Sequence, residues 1–407
     1  MKNLRCVAAS AAIALCAGTV AFGQHYKQTN LVANTAGVAP VTDPNLVNPW
    51  GLSRGSGSPW WVSDNATGLS TLYNGPGAIQ GLVVTIPPAD PTNPKTPLGT
   101  PTGTIFNGST TDFLLAPNAP ATFLFSTIDG TIVGWNATIN VTQGAKPPST
   151  HAVTVAKTTD GSTYTGLTSA FIQGKRYLYA ANFTKGRVDV YDNAFHSVKL
   201  SSNNYDKGGA DDFGFDDDRH RGDNEPFVDE RLPRNFVPFN VQSIGNDIVV
   251  TYALHLQGSP FETDGPGLGY VDIYSSTGQL LRRLEHGSWL NAPWGVAQAP
   301  LDFGRFSHDL LIGQFAGGGT TQSSGYIAAY DLATGEFDGL LEDASENPIA
   351  INGIWAISPG NVSPTNNDPA AAPATELYFT AGPNHGSGGL FGYLSAVSTE
   401  LVKGNDQ

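Results

Sequence analysis

Polar side chains that return at one position of a repeating pattern are the first candidates for chemistry. Asn48, Asn240, Asn291 and Asn352 stand at or just before short apolar runs, and Asp64 and Asn182 end the next β-type run of their units. Oxygens converging from several repeats on one pseudo-symmetry axis can hold a polar ligand or a hard cation. The four asparagines are therefore candidate ligand-binding residues. Asp64 and Asn182 are candidate metal ligands, and calcium is the ion that they would suit. The competing reading is that Asn and Asp at such places make only local turn hydrogen bonds.

Other motifs carry less. Gly51-Leu52-Ser53-Arg54-Gly55 fits the G-x-S-x-G pattern, but a nucleophile elbow needs a strand-to-helix turn with a downstream acid and His, and this run continues a strand. None of the eight histidines has H-E-x-x-H spacing; His255 and His385 follow second strands and are the two expected near a central mouth. The acidic stretch 203–234 holds Asp211, Asp212, Asp216, Asp217 and Asp218. An EF-hand register from Asp212 or Asp216 puts Asp217 or Arg221 where Gly is required, so the stretch reads as a solvated loop inserted in the repeat. No phosphate loop and no G-x-G-x-x-G after a strand is found, which leaves nucleotide cofactors without support.

The elements that must position these residues are six copies of one unit. Each copy has a Gly followed five residues later by an aromatic: Gly68/Tyr73, Gly130/Trp135, Gly186/Tyr191, Gly269/Tyr274, Gly325/Tyr330 and Gly388/Tyr393. A β-type run precedes each Gly, as in Trp60-Trp61-Val62-Ser63 and Leu377-Tyr378-Phe379-Thr380, so each unit contains a strand, a tight turn and a strand. Upstream runs such as Pro49-Trp50-Gly51-Leu52 and Pro293-Trp294-Gly295-Val296 read as innermost strands, and Asp112-Phe113-Leu114-Leu115 is the candidate in the second unit. Outer-strand candidates lie downstream of several aromatics, at Leu82-VVTI, Val153-TVA, Leu280-LRRL and Phe337-DGLL. Four strands in each of six units predict an all-β, six-bladed β-propeller spanning residues 24–407 as one domain. Tyr26 to Val32 is expected to close the ring as the outer strand of the last blade. The repeated Gly is expected to allow the turn, and the aromatic to pack between blades.

Composition agrees. The chain of 407 residues has 48 Gly, 28 Pro and only 14% charged residues, which suits strands and turns and excludes long helices and coiled coils. Residues 1–23 show Lys2 and Arg5 ahead of an apolar stretch and Ala21-Phe22-Gly23 at its end, the pattern of a secretory signal peptide. Cys6, Cys16 and the single Met all fall inside it. The mature chain is then without sulfur, which excludes disulfides, thiolate nucleophiles and Cys-ligated metals. Cleavage also removes Lys2 and Arg5, deepening a net charge of −14 by two. Such a field disfavours nucleic acid and anionic lipid and favours cations or basic partners. A secreted or periplasmic monomer without a membrane span is the expectation.

The runs Asp43-PNLVNPWGL, Phe125-STIDGTIVGWN, Leu290-NAPWGVAQAP and Leu377-YFTAGPNHGSGGLFG resemble an uncharacterised family of secreted bacterial proteins related to NHL-repeat propellers. That resemblance implies the propeller fold and no established activity. Many members carry a C-terminal exosortase sorting signal; here the chain ends Ser398-TELVKGNDQ, and Gly313-QFAGGG stands where relatives tend to have Asn-Phe-Gly-Asp. The functional expectation is an extracytoplasmic module that binds a small ligand, polymer or protein at the channel mouth and blade loops. The alternatives are a calcium-dependent lactonase similar to the gluconolactonase type, or an enzyme similar to virginiamycin lyase with His255 or His385 as base.

Overall fold

Chain order in the computed structural model, which describes residues 24–200, 225–315, 325–361 and 371–398, follows the six-unit repeat. Six antiparallel sheets form the blades of a propeller. Blade 1 runs inner to outer through Pro49–Ser53, Trp60–Asp64, Leu69–Tyr73 and Val84–Thr85; blade 3 through Tyr164–Ile172, Lys175–Asn182, Arg187–Tyr191 and Ser197–Val198. Blade 4 starts at Phe236–Ile244 and blade 5 at Pro293–Gln298. Blade 6 is built from both ends of the described chain. Ile354–Pro359, Glu376–Ala381 and Leu390–Ala396 are completed by Tyr26–Ala33, which pairs antiparallel with the last of them from Tyr26↔Ala396 to Ala33↔Leu390. The expected closure is present, and Val41–Thr42 adds a short parallel fifth strand. No helix among the described residues is long and apolar enough to cross a membrane.

Blade 2 corrects one expectation. Its inner strand is Pro101–Phe106, whereas Leu114–Ala116 forms a separate small hairpin with Ala119–Pro120. The true strand reads Pro-Thr-Gly-Thr-Ile-Phe and lacks the apolar run that marks the others. Its position demands small size more than hydrophobicity. Aligning the inner strands places Gly51, Gly103, Gly166, Asn240, Gly295 and Ala356 at one level. A Cβ on Gly103 would overlap the backbone nitrogen of Leu167 in blade 3, and one on Gly51 the carbonyl of Thr102 in blade 2. Gly295 meets the Trp355 carbonyl of blade 6 in the same way. The inner strands therefore touch backbone to backbone around the axis.

The repeat aromatics lie between blades as expected, with Tyr73, Tyr274 and Tyr330 fully buried. Buried Tyr and Trp tips usually find partners, and those of the buried repeat aromatics do, whereas the indole N–H groups of Trp50 and Trp60 have none among the described residues. Tyr73 donates its hydroxyl to Asp43 at 2.8 Å, Trp135 its indole N–H to the Ser149 carbonyl at 2.9 Å, and the hydroxyls of Tyr191 and Tyr164 meet at 2.6 Å. The repeated Gly has two separate reasons. Gly68, Gly130 and Gly186 adopt left-handed φ of +64° to +73°, which only Gly takes without strain. Gly269, Gly325 and Gly388 do not; there a Cβ would run into Pro293, the Ile351 carbonyl or Pro383.

Most of the acidic insertion lies outside the described residues, but its last part is no free loop. Phe227 is buried against Tyr179 of blade 3 and Tyr274 of blade 4. Asp229 receives two hydrogen bonds from the Arg283 guanidinium at 2.5 and 2.6 Å. The stretch is thus pinned to blade 4 at its downstream end.

Overpacking at the axis should be costly, because the neighbour is backbone and cannot rotate away. Gly103→Ala is expected to destabilise the protein by about 1–3 kcal/mol, read as a lower denaturant midpoint at unchanged slope, whereas Ala at exposed Gly81, where a Cβ would meet nothing, should be tolerated better.

Candidate functional site

The mouth of the central channel, at the end where the inner strands begin, is filled by aromatic rings. Trp50 of blade 1 stacks on Trp355 of blade 6 with ring centroids 3.6 Å apart, and Trp294 of blade 5 meets both edge-on at 6.1 and 5.7 Å. Phe239 of blade 4 packs against Trp50 and Trp355, Phe183 of blade 3 against Phe239, and Phe315 stacks on Trp355 at 4.0 Å. Trp50, Trp294, Trp355 and Phe239 are each less than a tenth exposed. Removing one such ring costs about 3–5 kcal/mol, so this plug is a major part of the core.

Hydrogen bonds tie the plug across blades. Trp294 donates its indole N–H to the Thr165 carbonyl of blade 3 at 2.9 Å, reaching past blade 4. Asn240 donates its amide to the Trp294 carbonyl at 2.7 Å, and the Thr380 hydroxyl donates to the Trp50 carbonyl at 2.6 Å. Below the plug the channel contracts to a cavity of about 20 Å³ lined by Gly51, Gly103, Asn240, Gln242 and Thr104 among others. That is room for about one water.

The candidate residues take up distinct posts around this plug. Asn48, at φ +49°, accepts the indole N–H of Trp355 on its Oδ1 at 3.0 Å, while its backbone N–H binds the Gly388 carbonyl. Asn240 is the one candidate on the axis itself. Asn291 is buried and holds the start of the blade 5 inner strand: its Oδ1 accepts from the Gly265 N–H at 2.7 Å and its N–H donates to the Gln314 side chain at 2.9 Å. Asn352 is half-buried in the turn before the blade 6 inner strand. The structure thus brings Asn48 and Asn240 to the same plug, from opposite sides, and leaves Asn291 and Asn352 at the starts of their own strands.

Asp64 and Asn182 occupy equivalent places at the ends of second strands, in blades 1 and 3, and no described contact joins them. Asn182 is fully buried; its amide donates to Ser162 at 2.8 Å and Asp189 at 2.6 Å, and its oxygen accepts from the Lys185 N–H. Asp64 is fully buried too. One oxygen accepts the Thr71 N–H at 3.0 Å and the other has no hydrogen-bond partner among the described residues. Burial pushes its carboxyl well above the usual range, with nearby Asp43 adding to the rise. The side chains around the axial cavity supply no carboxylate, whereas calcium takes six to eight oxygens, usually with several carboxylates among them. Among the described residues no three His, Cys, Asp or Glu side chains are placed to share a metal ion. That donor set does not fit a calcium ion on the axis. His255 lies at the mouth, its ring 4.5 Å from Phe183 and one nitrogen 2.8 Å from the Ser259 carbonyl.

A second buried acid went unread in the sequence because it sits in the strand body. Asp272 of blade 4 is 2% exposed, and burial with help from nearby Asp229 pushes its carboxyl up to about 8. The Tyr274 hydroxyl donates to it at 3.3 Å and in turn meets the Tyr252 hydroxyl at 2.7 Å. Glu262, in the loop following blade 4's second strand, is pushed up to about 7 by burial and by Asp264.

The chain matches no protein-family profile. Three uncharacterised proteins of Acanthamoeba polyphaga mimivirus are similar to it. One is 28% identical over 66% of this chain and 41% of its own length; the chain therefore spans under half of that relative. The others are 25% identical over 91% of this chain, with 80% and 85% of their own lengths covered. Among solved structures, a Bacteroides thetaiotaomicron protein of unknown function superposes with a TM-score of 0.51 at 8% identity, covering 92% of this chain and 76% of that one. An aldose sugar dehydrogenase of Streptomyces coelicolor follows at 0.48 and 12% identity, covering 92% and 99%. Virginiamycin B lyase of Staphylococcus aureus gives 0.40 at 9%, also covering 92% and 99%. At such identities the likeness is one of fold alone.

The buried acids set a pH dependence. An acid whose folded pKa lies above its unfolded value stabilises fully below the unfolded value and loses that contribution as pH rises through the folded one. Asp272 should therefore cost stability progressively between about pH 4 and pH 8, with Asp64 and Glu262 acting in the same direction. Melting temperature is expected to fall across this window, and Asp272→Asn should flatten the fall; an unchanged slope in the variant would exclude Asp272 as its source.

Proposed function

We propose that the chain is an extracytoplasmic binding propeller that engages its ligand or partner at its faces and loops instead of inside the axial channel. The closed axis carries this reading. Small-ligand sites have volumes of roughly 300–1,000 Å³, and the channel offers about 20 Å³ beneath a plug of buried rings. A lactonase or lyase with its site in the channel would need that plug displaced, along with the Trp294 and Asn240 hydrogen bonds that hold it. Asn48, Asn240 and Asn291 act in this reading as brackets for the plug and the inner strands. They reach a ligand only indirectly, by fixing the surface around it.

Export is part of the proposal, drawn from the basic and apolar pattern of residues 1–23 and from a remaining chain free of Cys and Met. A net negative chain directs it toward basic partners and away from nucleic acid. We further propose that it works as a monomer.

The test uses residues 24–407, purified and offered a panel of lactones and a streptogramin with and without added calcium, alongside cross-linking to envelope and medium fractions from the producing cell. No turnover is expected, with one or a few proteins reproducibly captured. Steady turnover abolished by Asn240→Ala, or by a plug substitution that leaves the fold intact, would replace the binding reading with a channel-centred enzyme.

A further inference from the structure

On the face opposite the tryptophan plug, blade 5 contains a cleft of about 520 Å³. Its placement follows from the inner strand Pro293–Gln298, which begins beside the plug at Trp294 and ends at Gln298 on the cleft wall. One wall is the connection from the inner to the second strand and carries Arg305, His308 and Asp309. The other is the turn between third and fourth strands with the residues after it, carrying Asp331, Glu336 and Asp338. The volume falls in the range of ligand sites.

The cleft is built before any ligand arrives. Tyr26 on the closing strand donates its hydroxyl to the Phe303 carbonyl at 2.9 Å, with its ring 4.7 Å from Phe303 and 6.0 Å from Phe306. Ser307 donates to the Gly304 carbonyl at 2.7 Å. On the facing wall, Asp331 accepts the Thr334 N–H, which helps hold its carboxyl below the usual range. Arg305 spans the two walls, donating to the Asp338 carbonyl at 2.7 Å while its guanidinium lies over the Phe306 ring at 5.0 Å. A cleft braced in this way spends little ordering entropy on binding.

Charge then selects the occupant. Four carboxylates line the cleft with one guanidinium and His308; the guanidinium already has a backbone carbonyl and a ring as partners, and Arg282 nearby acts on Asp331. A concave surface with an excess of one sign concentrates counter-charge. The geometry points to this cleft as a binding site for an amine or guanidinium group, presented by a basic peptide segment. This deepens the binding-module reading and rests on it.

The experiment titrates the purified propeller with fluorescently labelled tri-lysine, spermidine and tri-glutamate at low and at about 0.5 M salt, where screening shortens to a few ångströms. Tri-lysine is expected to bind at low salt and to be released at high salt, with tri-glutamate inert. The double variant Glu336→Gln/Asp338→Asn should weaken tri-lysine about tenfold at unchanged melting temperature. Glu230→Gln/Asp247→Asn removes the same charge at exposed positions on other elements and should bind like the parent. Binding of spermidine in place of tri-lysine would assign the site to a free polyamine and overturn the peptide. Equal binding by the cleft variant, or none by the parent, overturns the cleft, and the turnover assay judges the binding-module reading separately.

Discussion

Six strand edges converge on one axis, and how near they come is decided by what the third residue of five of the six inner strands lacks. With no side chain at Gly51, Gly103, Gly166 and Gly295, and only a methyl at Ala356, neighbouring backbones make direct contact. A Cβ and its hydrogens at every blade would widen the ring and loosen everything outside it. Because the ring is tight, the indoles on the preceding residues Trp50, Trp294 and Trp355 are long enough to fold across the mouth and meet. Asn240 is the one long side chain at that level, and it fits because its amide replaces a solvent contact with the Trp294 carbonyl. Further out, the wedge between blades widens and is filled by the larger aromatics of the third strands.

That gradient from small to large explains what could be read beforehand. The aromatic at the end of each third strand is a large signal at fixed distance from a Gly, so the number of blades and the closing strand Tyr26–Ala33 were legible. The inner strand of blade 2 was not, because Thr102-Gly103-Thr104 satisfies the axis with small polar residues, and Thr102 buries its hydroxyl against the Tyr164 carbonyl at 2.8 Å. Hydrophobic patterning is blind to a strand buried among backbones. The anchored end of the insertion was hidden for a related reason: Phe227 and Asp229 sit in a charged stretch, and only the third dimension brings Arg283 and Tyr274 to them.

The polar residues picked out by their recurrence do recur in space, and Asn240, Asn291 and Asp64 hydrogen-bond to strand or loop backbone while Asn48 and Asn182 bind neighbouring side chains. A repeat that must begin each inner strand at the same height needs a hydrogen-bonding bracket there, and Asn supplies both donor and acceptor with a tolerance for left-handed φ, as at Asn48. The cleft of blade 5 left no periodic trace. Most of its residues come from two connections distant in sequence, and each alone looks like an ordinary solvated turn.

Pairing Tyr26 with Ala396 makes the protein topologically a bracelet whose clasp joins the first described strand to the last. No blade-by-blade sequence of folding can finish the object while the chain is still emerging, since the outer strand of blade 6 waits unpaired until its partner exists. A long stretch of chain must be enclosed to fasten that clasp, an entropic cost that slows the final step of folding. Were the chain exported in extended form, as proposed above, such delay would be an advantage, since the ring could close only after Leu390–Ala396 had followed Tyr26–Ala33 across.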